Sequence, residues 1–141
     1  MGKQIKLNIS ADLPLTIIGI VSVESDLKLS WSINQLLDIQ LTQAKMIAIQ
    51  QLKTGKTLEF PLFQFDDETH LLKYNLLANR YKSNYFFEEL KNIDYLLIIR
   101  GDLDFENKAE ILLKLKTSTE ITSLLIIDSN SLRKKEKLEL F

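Results

Sequence analysis

The sequence predicts an α+β domain of two layers: a mixed, mostly antiparallel sheet with two main helices on one face. Three observations predict it. Leu96-Leu97-Ile98-Ile99 is an apolar run bounded by Asp94-Tyr95 and Arg100-Gly101, as a central strand buried on both faces would be. Two stretches, one opening at Ser25 or Asp26 and one over 105–116, carry apolar residues at helical spacing. Between them, short alternating runs are broken by turn-forming residues, the pattern of hairpins.

Residues 3–9 alternate, with Ile5, Leu7 and Ile9 opposed to Lys6 and Asn8, which predicts a half-buried strand. Residues 10–14 form a turn. Residues 15–23 carry Ile17, Ile18, Ile20 and Val21, a second buried strand rich in β-branched residues. Ser25 or Asp26 then accepts the free N–H groups of a helix start. Leu29, Ile33, Leu36 and Leu37 form its buried stripe, and Leu27 with Trp31 widens that stripe to one side. Residues 46–53 and 57–65 read as two strands joined at Thr54-Gly55-Lys56. Pro61 sits where the alternation changes face, which places it at an edge or a bulge.

Residues 70–79 form the next strand, after a polar turn at Asp66 to Thr69. Residues 80–84 read as a loop and 86–91 as a single helical turn. The central strand spans 94–100. Asp102 and Asp104 stand at the start of the second helix, where negative charge suits the helix dipole. Phe105, Ala109, Leu112 and Leu113 form that helix's expected stripe. Residues 121–128 are a final apolar strand. The order is β, β, α, β, β, β, β, α, β.

The chain of 141 residues reads as one domain, 1–141, long enough to bury a core. Residues 129–141 form a charged tail that ends on Leu138, Leu140 and Phe141, suited to packing through its last residues. A net charge of −1 gives no electrostatic footprint for a phosphate backbone, so nucleic acid is not an expected partner. There is no cysteine, which excludes disulfides, a thiol nucleophile and a Cys-ligated zinc site. The first residues lack the apolar region of a signal peptide, and no apolar run is long enough to span a membrane. The expectation is a soluble cytoplasmic protein without a membrane association.

Four groups of residues invite a chemical reading. Thr54-Gly55-Lys56-Thr57 ends like a P-loop, but Gln50 stands where its first Gly belongs and strand follows instead of helix, so a hairpin turn is expected. Asp66, Asp67, Glu68 and His70 gather hard ligands on one turn without a regular ligand spacing, and read as solvated turn chemistry. Asp102, Asp104 and Glu106 alternate as calcium ligands do, but Asn107 replaces the required Gly, and helix capping is the expected role. Glu89, Asp94 and Tyr95 form the fourth group. They could make a paired carboxylate site with a tyrosine lip; the favoured reading is structural, with Asp94 capping the turn into the strand, Glu89 binding a backbone N–H or Arg100, and Tyr95 packing. No catalytic residue, metal site or cofactor is expected. Ser30 and Ser32 flank Trp31 on a helix, not on the strained turn that a nucleophilic Ser needs.

Residues 87–95, Phe-Glu-Glu-Leu-Lys-Asn-Ile-Asp-Tyr, resemble the signature of the IPExxxVDY family, small bacterial proteins with no assigned activity. Glu89, Asp94 and Tyr95 match it; Phe87, Glu88 and Ile93 stand where the family name has Ile, Pro and Val. Without the Pro, a helical approach is expected in place of a kinked one. Ile17-Ile18-Gly19-Ile20, Leu29-Ser30-Trp31-Ser32-Ile33-Asn34, Phe65-Asp66-Asp67-Glu68 and 132–141 are similar to the family as well. The resemblance implies a shared fold and transfers no catalytic residue. The function expected is a non-catalytic interaction domain that self-associates as a homo-oligomer, through an edge strand or an aromatic face of Phe60, Phe63, Phe65 and Tyr74. The alternative is a small-ligand-binding regulatory module.

Overall fold

A computed structural model describes residues 13–141. The strand expected at 3–9 lies outside the described residues. In chain order the elements are β1 (Leu15–Val21), α1 (Asp26–Leu37), β2 (Thr42–Gln43), β3 (Ile47–Gln50), β4 (Thr57–Phe60), β5 (Leu62–Asp67), β6 (Leu72–Ala78), β7 (Arg80–Tyr81), β8 (Asn84–Tyr85), β9 (Tyr95–Arg100), α2 (Phe105–Lys116) and β10 (Ser123–Ile127). Short 3₁₀ turns lie at Glu88–Leu90, Ser129–Ser131 and Lys135–Leu140.

Six strands form the main sheet in the order β10-β1-β9-β6-β5-β2, and every hydrogen-bonded pair is antiparallel. The fold is α+β around this antiparallel sheet. β9 is buried along its whole length, as its apolar run requires. β9 and β10 both run antiparallel to β1, so they are parallel to each other with β1 between them. α2 carries the chain across β1 from one to the other.

Side chains alternate between two cores. On one face Ile18, Ile20, Leu76, Leu97 and Ile99 meet Leu29 and Ile33 of α1 and Ile111 and Leu115 of α2. Both helices therefore lie on the same side, as expected. On the other face Ile17, Leu77, Leu96 and Ile98 meet Phe60, Phe86, Phe87, Leu138 and Phe141. That face is covered by the β3–β4 hairpin, the segment before β9 and the C-terminal tail, which add a third covering to the two layers expected.

Local chemistry explains the boundaries. Ser25 caps α1, its Oγ accepting the Lys28 N–H at 3.2 Å, and Asp38 closes the helix in the left-handed conformation. Asp104 caps α2 by accepting the Asn107 N–H at 2.8 Å. Pro61 divides the expected 57–65 strand: β4 pairs with β3 in a separate hairpin, while β5 joins the main sheet. Having no N–H, Pro cannot continue a ladder on its donor side, although its carbonyl accepts from Ala78. Residues 80–84, expected as a loop, form with Tyr85 a small hairpin whose central residues Lys82 and Ser83 both have positive φ. That is the backbone of a tight turn matched to strand twist. Gly101 has φ +133° and a Cβ there would sit 2.6 Å from the Leu71 carbonyl oxygen, so the turn out of β9 requires glycine.

Two expected helix faces are corrected. Leu27 and Trp31 point to solvent; the small Ser30 and Ser32 take the buried flank of α1 instead, where Ser32 meets Ser118 and Glu120 beyond the end of α2. On α2 the inward residues are Ile111 and Leu115, while Phe105 and Leu113 are exposed. The helices pack side by side, so each offers the sheet a narrower stripe than its apolar residues would allow.

Candidate functional site

The segment before β9 is the part of the chain that the sequence singles out, and a residue outside it holds it in place. Asn79 follows β6 and is wholly buried, 0% exposed. Its Nδ2 donates to the carbonyls of Leu90 at 2.9 Å and Ile93 at 3.0 Å, and its Oδ1 accepts the Phe87 N–H at 2.9 Å. Its own carbonyl accepts the Phe86 N–H at 2.7 Å. One side chain thus satisfies three backbone groups of a segment too irregular to pair them itself.

The three residues of the motif turn outward from this anchor to other parts of the chain. The Asp94 carboxylate accepts the N–H of buried Ser22 at 2.9 Å and pairs with the Arg80 guanidinium at 2.5 Å. The Tyr95 hydroxyl donates to the Glu24 carbonyl at 2.6 Å. Burial, helped by the charges of Asp26 and Asp94, pushes this phenol up to about 12, so it remains a donor. Asp94 and Tyr95 both fasten the loop between β1 and α1. Glu89 instead accepts the Arg133 N–H at 2.6 Å and fastens the tail. Burial works against its ionisation, but that N–H and the charges of Arg133 and Lys137 hold its carboxyl below the usual range. Glu89 and Asp94 engage different segments, so they do not present a shared proton or an opposed acid and base.

The tail is held from beneath by Arg100 at the end of β9. Its Nε donates to the Phe141 carbonyl at 2.8 Å, and its two terminal nitrogens to Leu13 at 3.0 Å and Leu138 at 3.3 Å. Lys137 donates to the Phe86 carbonyl at 2.6 Å and lies over the rings of Phe86 and Phe87. Phe141 packs at 5.8 Å from Phe86, which meets Phe60 edge to face at 5.4 Å. Asn79 and Arg100 carry this arrangement; in the sequence Arg100 is given a role only as a partner for Glu89, and Asn79 is not singled out. The signal was present: Asn79 and Arg100 are polar residues that directly follow the apolar runs 76–78 and 96–99.

The remaining candidates are placed apart from one another. Thr54 and Gly55 lie in the turn of the β3–β4 hairpin. At the acidic turn, Asp67 accepts both the N–H and the ring Nδ1 of His70, the latter at 2.8 Å. Among the described residues no three His, Asp or Glu side chains gather as a metal site would need. The aromatic face expected for association is internal: Phe60, Phe63 and Tyr74 are buried, and Phe65 packs on Tyr74. β5 is not an edge, because β2 covers it.

The exposed apolar surface lies elsewhere. Leu125 and Ile126 of β10 are 54% and 51% exposed, and Phe105 at the start of α2 is 84% exposed. Phe105, Lys108, Ala109, Leu112 and Ile126 line a mostly apolar groove of about 300 Å³ between α2 and the sheet's end. A second cavity of about 440 Å³ lies by the tail, lined by Arg100, Ser129, Asn130, Lys135 and Glu136 among others. No helix of the described residues is long and apolar enough to cross a membrane. No family model matches the chain, and no curated protein matches it.

Proposed function

We propose that the chain is a non-catalytic interaction domain that self-associates in the cytoplasm, and that it is a member of the IPExxxVDY family. The observation that carries the reading is the apolar surface at one end of the sheet, where Phe105 and Ile126 stand exposed along a groove and Leu125 is exposed on the opposite face of the same strand. Contiguous exposed apolar surface marks interaction sites in soluble proteins. The carboxylates of the motif segment support the same reading, since Glu89 and Asp94 are engaged with backbone N–H groups and Arg80. A cysteine-free chain fits a reducing compartment. Light scattering across a concentration series tests the proposal: a mass above that of one chain at micromolar concentration is expected, and a single-chain mass throughout refutes it.

A second reading, a small-ligand-binding regulatory module, rests on the cavity by Arg100 and Lys135. It expects the melting temperature to rise with a bound metabolite, because binding to the folded state stabilises by mass action.

A further inference from the structure

We infer that β10 is the surface of self-association. Two copies pair their β10 strands antiparallel about a two-fold axis at Leu125, joining two six-stranded sheets edge to edge. The inference rests on the self-association proposed above and names its surface.

β10 is bonded to β1 on one side and, among the described residues, to nothing on the other. Soluble proteins guard such an edge with charge, proline, a bulge or shortness. β10 is the opposite case: Ser123–Ile127, Ser-Leu-Leu-Ile-Ile, has no charged residue, no proline and no glycine. The far edge of the sheet, β2, is only Thr42 and Gln43. Among the described residues the sheet is therefore guarded at one end and open at the other.

The side chains of β10 say the same. Ile126 lies opposite Ile18, which faces the helices; Leu125 lies opposite Gly19 and faces the other way. Both are half exposed. A strand that is apolar on both faces has the composition of a strand inside a sheet, and this one stands at the edge.

The fitting partner strand is uncharged and apolar on both faces, and β10 itself has that character. A two-fold interface must be self-complementary. In an antiparallel pair, opposed residues share a face, so a symmetric register centres on one residue. Centred on Leu125, it sets Leu125 against Leu125, Leu124 against Ile126 and Ser123 against Ile127. The acidic residues just outside the strand fall opposite uncharged ones: Asp128 opposite Thr122, and Glu120 opposite Asn130. No like charges meet, and the contact closes at two copies.

The test uses the full chain and two variants at exposed positions, with circular dichroism to show that each is folded. The wild type is expected to approach twice the single-chain mass as concentration rises, and Ile126→Lys to halve that mass. Leu125→Cys introduces the one thiol in a cysteine-free chain. Opposed Cα atoms in an antiparallel pair lie about 4.5–5.5 Å apart, within disulfide reach, so oxidation should give a linked dimer on a non-reducing gel. A dimer that Ile126→Lys leaves intact overturns the choice of surface but not self-association. A dimer lost in Ile126→Lys yet not linked through Leu125→Cys overturns the register. A monomer in every case overturns both this inference and the reading on which it rests.

Discussion

Replacing Asn79 tests the account of the motif segment most sharply, because one buried side chain there serves three backbone groups. In Asn79→Ala the Phe87 N–H and the Leu90 and Ile93 carbonyls lose their partner. A buried polar group left unsatisfied costs about 1–3 kcal/mol. The three are close enough to share relaxation, so the total should be roughly 3–5 kcal/mol. The entropy of unfolding is about 2.1 cal/mol/K per residue. For 141 residues this makes roughly 3 °C of melting temperature per kcal/mol, so a fall of roughly 10–15 °C is expected. Asn79→Asp is the more discriminating change. It keeps the acceptor toward Phe87 but turns an oxygen toward two carbonyls that Nδ2 now meets at 2.9 and 3.0 Å. That repulsion favours the protonated acid and raises its folded pKa above the unfolded value of about 3.9. The variant should therefore lose stability against the wild type as pH rises from about 4 to 7, and regain it on acidification. Thermal melts of the three proteins at several pH values would decide. An Asn79→Asp protein as stable as the wild type at neutral pH would refute the reasoning.

Asp94→Ala should lower the melting temperature by roughly 3–9 °C, since the buried Ser22 N–H loses its acceptor at about 1–3 kcal/mol while the half-exposed Arg80 adds little; Asp94→Asn, which still accepts, should recover part of the loss in the same melts. Glu89 has a depressed folded pKa, so its hold on the tail is complete above the unfolded value of about 4.3 and is lost as pH falls through the folded one. Limited proteolysis should then cut residues 129–141 faster once the pH falls below the usual carboxylate range, and Glu89→Gln should remove most of that pH dependence. Gly101→Ala should destabilise by roughly 2–4 kcal/mol, because the new Cβ meets the Leu71 backbone and the φ of +133° is strained for any side chain; a chemical-denaturation midpoint like that of the wild type would contradict the turn geometry.

The elements whose patterns are local were legible in the sequence. The apolar run of β9, the caps at Ser25 and Asp104 and the hairpin at Gly55 each declare themselves within a few residues. What depends on distant partners was not. Leu27, Trp31, Phe105 and Leu113 fit a helical stripe as well as their inward neighbours do, and only the packing of α1 beside α2 decides which residues meet the sheet. Phe60, Phe63 and Tyr74 looked like an exposed aromatic edge because nothing local shows that β2, the β3–β4 hairpin and the tail close over that part of the chain. Glu89, Asp94 and Tyr95 were visible as a group, yet their partners lie at Arg133, Ser22 and Glu24. Asn79 and Arg100 each show as a polar residue after an apolar run, but their partners are distant backbone groups, which the sequence does not mark.

Amide exchange along Ser123–Ile127, followed from dilute to concentrated solution of the full chain, bears most directly on self-association through β10. An edge strand that finds a partner gains hydrogen bonds for the N–H groups on its outer side. Alternate amides of this strand are expected to slow as concentration rises, while those of β9, already paired on both sides, do not change. Exchange along β10 that is independent of concentration would contradict it.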